Sequence, residues 1–158
     1  MTVEALPDGV KLALDLGQRR IGVAACDRLG ALAYPVTTVD ASQPWAHLEA
    51  LIERFRPAAV IVGWPVGLDG RPGPAAQRVV GLAERLAGLV ETPVYLVDER
   101  WSTVEASRRL RQAGRSARQQ RLIVDQQAAV GILDTVLAAQ RAGQARAQRV
   151  IGQPTEGD

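Results

Sequence analysis

Four carboxylates stand where the surrounding residues predict a buried, apolar position. Asp15 falls inside "VKLALD", where apolar residues alternate as they do in a strand. Asp125 interrupts the apolar seam of a predicted helix, and Asp98 and Glu99 follow the apolar run "VYLV". An unpaired buried charge costs roughly several kcal/mol, so each acid needs a cation, a set of hydrogen-bond donors or a turn that returns it to water.

Each acid taken alone has an ordinary explanation. Asp15 could cap its own turn, and Asp98 or Glu99 could pair with Arg100. Asp125 could be an early-turn acid favoured by the helix dipole. Together they are harder to explain, because like charges brought close raise one another's pKa unless a cation is present. Carboxylate oxygens suit Mg²⁺ or Mn²⁺, and one or two such ions can activate water for phosphodiester cleavage.

The charged side chains are distributed unevenly along the chain, although its net charge is only +2. Residues 100–149 carry ten Arg against three acids, whereas residues 1–99 carry nine basic and twelve acidic side chains. A guanidinium group binds phosphate oxygens through two N–H groups at once, so the arginine-rich part favours contact with nucleic acid. The alternative is a coding bias toward arginine, with charges that only solvate helices. The arginines that we expect at the phosphates are Arg19, Arg20, Arg100, Arg108, Arg115, Arg118 and Arg121.

The composition excludes several other kinds of site. A single cysteine, Cys26, rules out an internal disulfide framework, and one cysteine with one histidine, His47, cannot build an ordinary zinc site. Any metal must then have oxygen ligands. His47 lies in an amphipathic helical pattern, which favours a histidine at the surface or core edge over a catalytic triad member. No apolar run of membrane-spanning length or signal peptide is visible, so we expect a cytoplasmic protein without membrane contact.

Apolar periodicity predicts one α/β domain over residues 1–158, with a core at about 10–139 and a frayed tail at about 141–158. Pro35 confines the third strand to a sheet edge. The predicted strands are 10–15, 21–26, 31–39, 58–63 and 93–99. The predicted helices are 44–55, 75–89, 102–113 and 119–140. The first three strands form an antiparallel meander. Asp98 and Glu99 end a buried strand, and the carboxyl ends of parallel strands are where α/β sheets collect their sites.

Four stretches in this order resemble the YqgF family, which is associated with Holliday junction resolution and with 5′ maturation of pre-16S ribosomal RNA. They are "LALDLGQRRIGVAACD", "VIVGWPVGLDG", "VYLVDERWSTVEA" and "IVDQQAAVGILDTVL", within residues 10–139. The resemblance implies a ribonuclease H-like fold, with a five-stranded mixed sheet flanked by helices. It also implies a catalytic, metal-binding set of Asp15, Glu99 and Asp125, with Asp98 as a fourth metal ligand.

The chain departs from the family pattern at two places. Trp64 replaces a residue that is usually aliphatic, and "GRSARQQR" has only Arg where Lys is common. Trp64 could stack on a base or cover the core, and the core is the favoured interpretation.

Several functions remain open at this point. A nuclease that matures pre-16S rRNA is the first, and a resolvase of four-way DNA junctions or a non-catalytic nucleic-acid-binding protein are alternatives. The stretch "ALDLGQRRIGVA" also resembles the phosphate loop of actin-like ATPases, but those need two such domains. RNA or DNA as substrate, the number of metal ions and the oligomeric state, with a homodimer as one candidate, stay undetermined.

Overall fold

A computed structural model describes residues 2–65, 73–98 and 117–152, and for residues 117–123 it describes the backbone alone. The strands are β1 Thr2–Ala5, β2 Lys11–Leu16, β3 Arg20–Cys26, β4 Ala33–Asp40, β5 Ala59–Trp64, β6 Val94–Asp98 and β7 Arg146–Val150. The helices are α1 Trp45–Phe55, α2 Pro74–Leu89 and α3 Ala117–Arg141. The helix predicted at 102–113 lies outside the described residues. No described helix is both long and apolar enough to cross a membrane.

The strands form one mixed sheet in the order β1-β7-β6-β5-β2-β3-β4. Strands β2, β5 and β6 are parallel, so their carboxyl ends share one edge of the sheet. Strands β2, β3 and β4 form the predicted antiparallel meander, which is confirmed. Pro35 lies on the edge strand β4, as predicted, beside an irregularity of the register at Val23 and Ala24.

The predicted five-stranded sheet is wrong, because the sheet has seven strands. Residues 146–150, assigned to a frayed tail, form β7, which pairs with β6 on one side and β1 on the other. Only Ala147 and Val150 of this strand are buried. Backbone hydrogen bonds to two neighbours stabilise it, and a side-chain pattern does not report such bonds.

The sheet carries helices on both faces. Helices α1 and α2 cover one face, where Leu12, Leu14, Val60 and Val62 form the core with side chains such as Leu48. Helix α3 covers the other face, over Ala13, Ala24, Ile61 and Tyr95. The small side chains of β2 and β3 on the α3 face let this helix approach the sheet closely.

Gly22 of β3 is the point of closest approach. A Cβ atom at this position would overlap the carbonyl group of Asp125 and would lie 2.9 Å from the Gln126 amide nitrogen. Gly22 also pairs with Asp15 of β2 and with Thr38 of β4, so the three residues form one row across the sheet. The absence of a side chain at Gly22 therefore brings the α3 backbone directly above the row that contains Asp15.

Gly22→Ala should destabilise the protein by at least about 2 kcal/mol, because the added methyl group forces α3 away from β3. Urea unfolding measures the change. Gly81→Ala is the matched control, since Gly81 is exposed in the middle of α2 and has no atom within 4 Å of its added Cβ. This variant should gain roughly 0.5–1 kcal/mol. Equal stabilities of the two alanine variants would contradict the close packing at Gly22.

Candidate active site

Asp15 and Asp125 come together at the carboxyl edge of the parallel strands. Asp15 is the next-to-last residue of β2, and its side chain is on the α3 face because it lies two residues after Ala13, which packs on that face. Asp125 lies on α3, above Gly22 and therefore beside Asp15. Burial, and then the negative charge of Asp125, raises the pKa of Asp15 to about 6. Among the described residues no donor forms a hydrogen bond with the Asp15 carboxylate.

Asp125 has a cationic partner, whereas no cation among the described side chains pairs with Asp15. The Arg20 Nε–H group donates a hydrogen bond of 2.7 Å to Asp125 Oδ2, and the two side chains are 32% and 20% exposed. Arg20, predicted to contact nucleic acid, thus contacts a predicted catalytic carboxylate in this structure. In the part of the chain that the structure describes, one paired cation stands against two neighbouring carboxylates, and such a net negative charge favours a further cation.

Two contacts hold the elements that carry the carboxylates. The Gln126 Nε2–H group donates to Thr38 Oγ1 at 3.0 Å, which joins α3 to β4 next to Asp125. From the other face, the Arg78 Nη2–H group donates to the Leu16 carbonyl at 3.0 Å, immediately after Asp15. Sequence reasoning missed these residues. Gln126 adjoins a predicted site acid, but nothing in the sequence shows that Thr38 and Arg78 reach it.

The structure does not bring Asp98 beside Asp15. Asp98 ends β6, which is separated from β2 by β5, and adjacent strands are about 4.8 Å apart. Asp98 borders a cavity of about 480 Å³ with Trp64, Thr135 and Arg146, and neither Asp15 nor Asp125 lines this cavity.

The remaining predicted site residues are only partly within the described chain. Arg19 is exposed next to Arg20, and His47 is exposed on α1, as predicted. The backbones of Arg118 and Arg121 lie in the first turns of α3. Glu99, Arg100, Arg108 and Arg115 lie outside the described residues. Within the described part of the chain, no three His, Cys, Asp or Glu side chains are grouped as a metal site.

Trp64 packs against the core between the sheet and α2. Its ring nitrogen donates a hydrogen bond of 3.3 Å to the Ala76 carbonyl, and the partly buried side chain contacts the apolar core. These contacts favour the role of core cover over that of a base-stacking residue.

Comparison with known proteins identifies the family. Residues 9–139 match the family model described as "RuvX: Holliday junction resolvase". The chain belongs to the RuvX family. RuvX relatives include one from Cutibacterium acnes, 47% identical over 138 residues, with 86% of each chain covered. One from Streptomyces avermitilis is 45% identical, with 84% of this chain and 88% of the relative covered. Both bear the name "Putative pre-16S rRNA nuclease".

Solved structures support the fold of this RuvX-family chain. Thermus thermophilus RuvC in complex with a Holliday junction substrate aligns with a TM-score of 0.55 and 17% identity. The alignment covers 89% of this chain and 99% of RuvC. At this identity the likeness concerns the fold alone, and it supports the predicted ribonuclease H-like α/β architecture.

Asp15→Asn should stabilise the metal-free protein above about pH 6, which is the pKa of the Asp15 carboxyl group in the folded protein. The unfolded pKa is about 3.9, so the folded state binds this proton more tightly. The wild type therefore loses stability as the pH rises from about 4 to about 6, by roughly 1–3 kcal/mol, and the uncharged Asn avoids this loss. Urea unfolding in EDTA should give similar stabilities at pH 4 and a more stable variant at pH 8.

Asp40→Asn is the control with the opposite sign. The Asp40 carboxylate accepts hydrogen bonds from the Ser42 N–H and Oγ–H groups, which lower its pKa. The ionised Asp40 carboxylate stabilises the folded state above the pKa that it has in the unfolded chain, and this stabilisation is lost as the pH falls. Asp40→Asn should therefore destabilise the protein at pH 8. A lower stability of Asp15→Asn at pH 8 would show that hydrogen-bond donors stabilise the Asp15 carboxylate, and that its charge does not destabilise the folded state.

Proposed function

We propose that this RuvX-family nuclease hydrolyses phosphodiester bonds with Mg²⁺ or Mn²⁺ and acts in the cytoplasm on the 5′ region of pre-16S rRNA. The observation that carries the proposal is the partly buried Asp15 carboxylate, which has no hydrogen-bond donor among the described residues and lies beside Asp125. The name borne by its relatives supplies the rRNA precursor as substrate.

The donor set fits a hard divalent cation. Asp15 and Asp125 offer carboxylate oxygens, and burial, together with the charge of Asp125, raises the pKa of Asp15. Glu99, the third member of the predicted set, would complete the ligands together with these two. A bound Mg²⁺ or Mn²⁺ would lower the pKa of water and stabilise the departing oxygen.

The protein's own residues would position this chemistry. Asp15 is fixed on a central strand, whose end is held by the hydrogen bond from Arg78. Gly22 and the Gln126–Thr38 contact set the distance between α3 and the sheet and the direction of the helix. They thereby set the position of Asp125. A carboxylate pair held on rigid elements needs little reorganisation during the reaction, which is the main source of electrostatic catalysis.

The site lies at the edge of the sheet and does not line the large cavity beside Asp98. An open edge suits a long polymer, whereas small substrates are usually enclosed. Exposed Arg19 and the arginines at the start of α3 would contact the phosphates on either side of the carboxylates.

Cleavage of four-way DNA junctions is the second candidate, because the matching family is described as a Holliday junction resolvase. A carboxylate–metal site attacks RNA and DNA alike, so the substrate depends on contacts away from the reacting bond. Cleavage of a pre-16S rRNA fragment and of a four-way junction by one preparation separates the two. Binding of both without cleavage in Mg²⁺ or Mn²⁺ would favour the non-catalytic alternative.

Asp15→Asn and Asp125→Asn should each lower the cleavage rate at least about 100-fold while nucleic-acid binding largely survives, because each removes a charge that the cation needs. A gel assay on the rRNA fragment measures the rate. Asp134→Asn is the matched control, since Asp134 is exposed on α3, two turns beyond Asp125, and should keep the wild-type rate.

Thermal melts complete this test. Excess Mg²⁺ should raise the melting temperature of the wild type and of Asp134→Asn, but not that of Asp15→Asn. A wild-type melting temperature that ignores both Mg²⁺ and Mn²⁺ would contradict a metal site.

Arg118→Ala with Arg121→Ala should weaken nucleic-acid binding and reduce the dependence of log Kd on log salt by roughly 0.7 for each phosphate that is no longer neutralised. Fluorescence anisotropy at several salt concentrations measures the slope. Arg54→Ala is the control, since Arg54 lies on α1 at the face opposite α3 and should leave the slope unchanged. An unchanged slope in the double variant would show that these two arginines only solvate the surface.

A further inference from the structure

Arg20 forms an ion pair with Asp125, one of the two carboxylates that the proposed metal site requires. Its Nε–H group donates to Asp125 Oδ2 at 2.7 Å, across 105 residues of sequence. Both side chains are partly buried, at 32% and 20% exposure, so water weakens this ion pair less than one on the open surface. Without metal, the Arg20 guanidinium is therefore a cation that compensates Asp125.

The rest of the Arg20 guanidinium is available to a ligand. Only Nε bonds to Asp125, and the two Nη groups have no hydrogen-bond partner among residues 2–65, 73–98 and 117–152. The side chain is one-third exposed and begins β3, at the same edge of the sheet as the carboxyl end of β2. Exposed Arg19 precedes it. A planar fork of this kind binds the oxygens of a phosphate diester well.

Arg20 and a divalent cation compete for the same negative charge. Two ionised carboxylates carry a charge of −2, and the guanidinium already compensates half of it. A divalent ion on Asp125 would lie within a few ångströms of that guanidinium, where like charges repel strongly in a partly buried site. Moving Arg20 onto a phosphate removes the repulsion and exposes the Oδ2 atom.

We propose that Arg20 is a positioning residue that exchanges between Asp125 and a phosphate of the nucleic acid, so that substrate and metal bind cooperatively. This inference rests on the proposed function and assigns Arg20 a role beyond phosphate binding. Thermodynamic linkage makes the effect reciprocal: nucleic acid strengthens metal binding by the same factor by which metal strengthens nucleic-acid binding.

Calorimetric titration of Mn²⁺ tests the exchange without reference to activity. The proteins are wild type, Arg20→Gln, Arg20→Lys and the control Arg54→Gln, whose exposed arginine lies on α1 at the face of the sheet opposite α3. Each is titrated alone and with a 2′-O-methyl oligonucleotide that a gel shows to stay intact. Circular dichroism checks that each variant is folded.

The oligonucleotide should tighten Mn²⁺ binding at least about fivefold in the wild type and in Arg54→Gln. Without the oligonucleotide, Arg20→Gln should bind Mn²⁺ about tenfold more tightly than the wild type. Addition of the oligonucleotide should then increase the Mn²⁺ affinity of this variant much less than that of the wild type. Arg20→Lys keeps the positive charge and should retain the weaker, wild-type affinity without the oligonucleotide. A role of Arg20 in folding alone would not produce this pattern.

A measurement on the unmodified protein covers the case in which Arg20→Gln does not fold. The ¹⁵N–¹H resonance of the Arg20 Nε group should shift when Mg²⁺ and the oligonucleotide are added together, as its carboxylate partner is replaced. An unchanged resonance, or an Arg20→Gln protein with wild-type Mn²⁺ affinity and full tightening, would overturn the exchange and leave the proposed nuclease function intact. A wild type that binds no Mn²⁺ under either condition would overturn the metal site as well.

Discussion

The contact between the α3 backbone and Gly22 determines where the catalytic chemistry can lie. A helix normally packs on a sheet through side chains on both surfaces, at a distance of about 10 Å. Here β3 has no side chain at the contact, so the peptide group after Asp125 lies almost on the strand. That approach places an acid of the helix next to an acid of β2 and within reach of Arg20 on β3. Three elements remote in sequence thus share one small volume.

The electrostatics of this volume follow from its composition. Burial and the negative charge of Asp125 both disfavour the charged form of Asp15, and Arg20, the cation paired here among the described residues, offsets only part of the charge. A structure selected for stability alone would replace such a group with apolar side chains of similar size. Retention of the unbalanced charge is understandable in a protein that binds a divalent cation and a polyanion, because both ligands relieve it.

The additional strands β1 and β7 matter for the sheet as a whole. In the predicted five-stranded sheet, β6 would have been an edge strand with unpaired backbone groups along one side. Pairing with β7 satisfies these groups and buries Val150 and Ala147 against the two cores. The strand that leads to Asp98 and Glu99 is consequently an interior strand, which restricts its movement.

The sequence by itself determined the elements whose stability comes from their own pattern of apolar residues. The meander, the two parallel strands, helices α1 and α2 and the long helix α3 were all predicted within a few residues, because buried apolar side chains repeat with the period of the element they form. Asp15 and Asp125 could be picked out for the same reason, since a charge in an apolar pattern stands out. Four motifs in order also led to the family.

Only the tertiary structure decided which of these residues meet. Strands β1 and β7 are held by backbone pairing with distant partners, which leaves little trace in their side chains. The pairing of Arg20 with Asp125, the support from Thr38 and Arg78, and the separation of Asp98 from Asp15 depend on strand order, register and the height of α3. These quantities arise from contacts between residues far apart in the chain, and no local pattern of residue types encodes them.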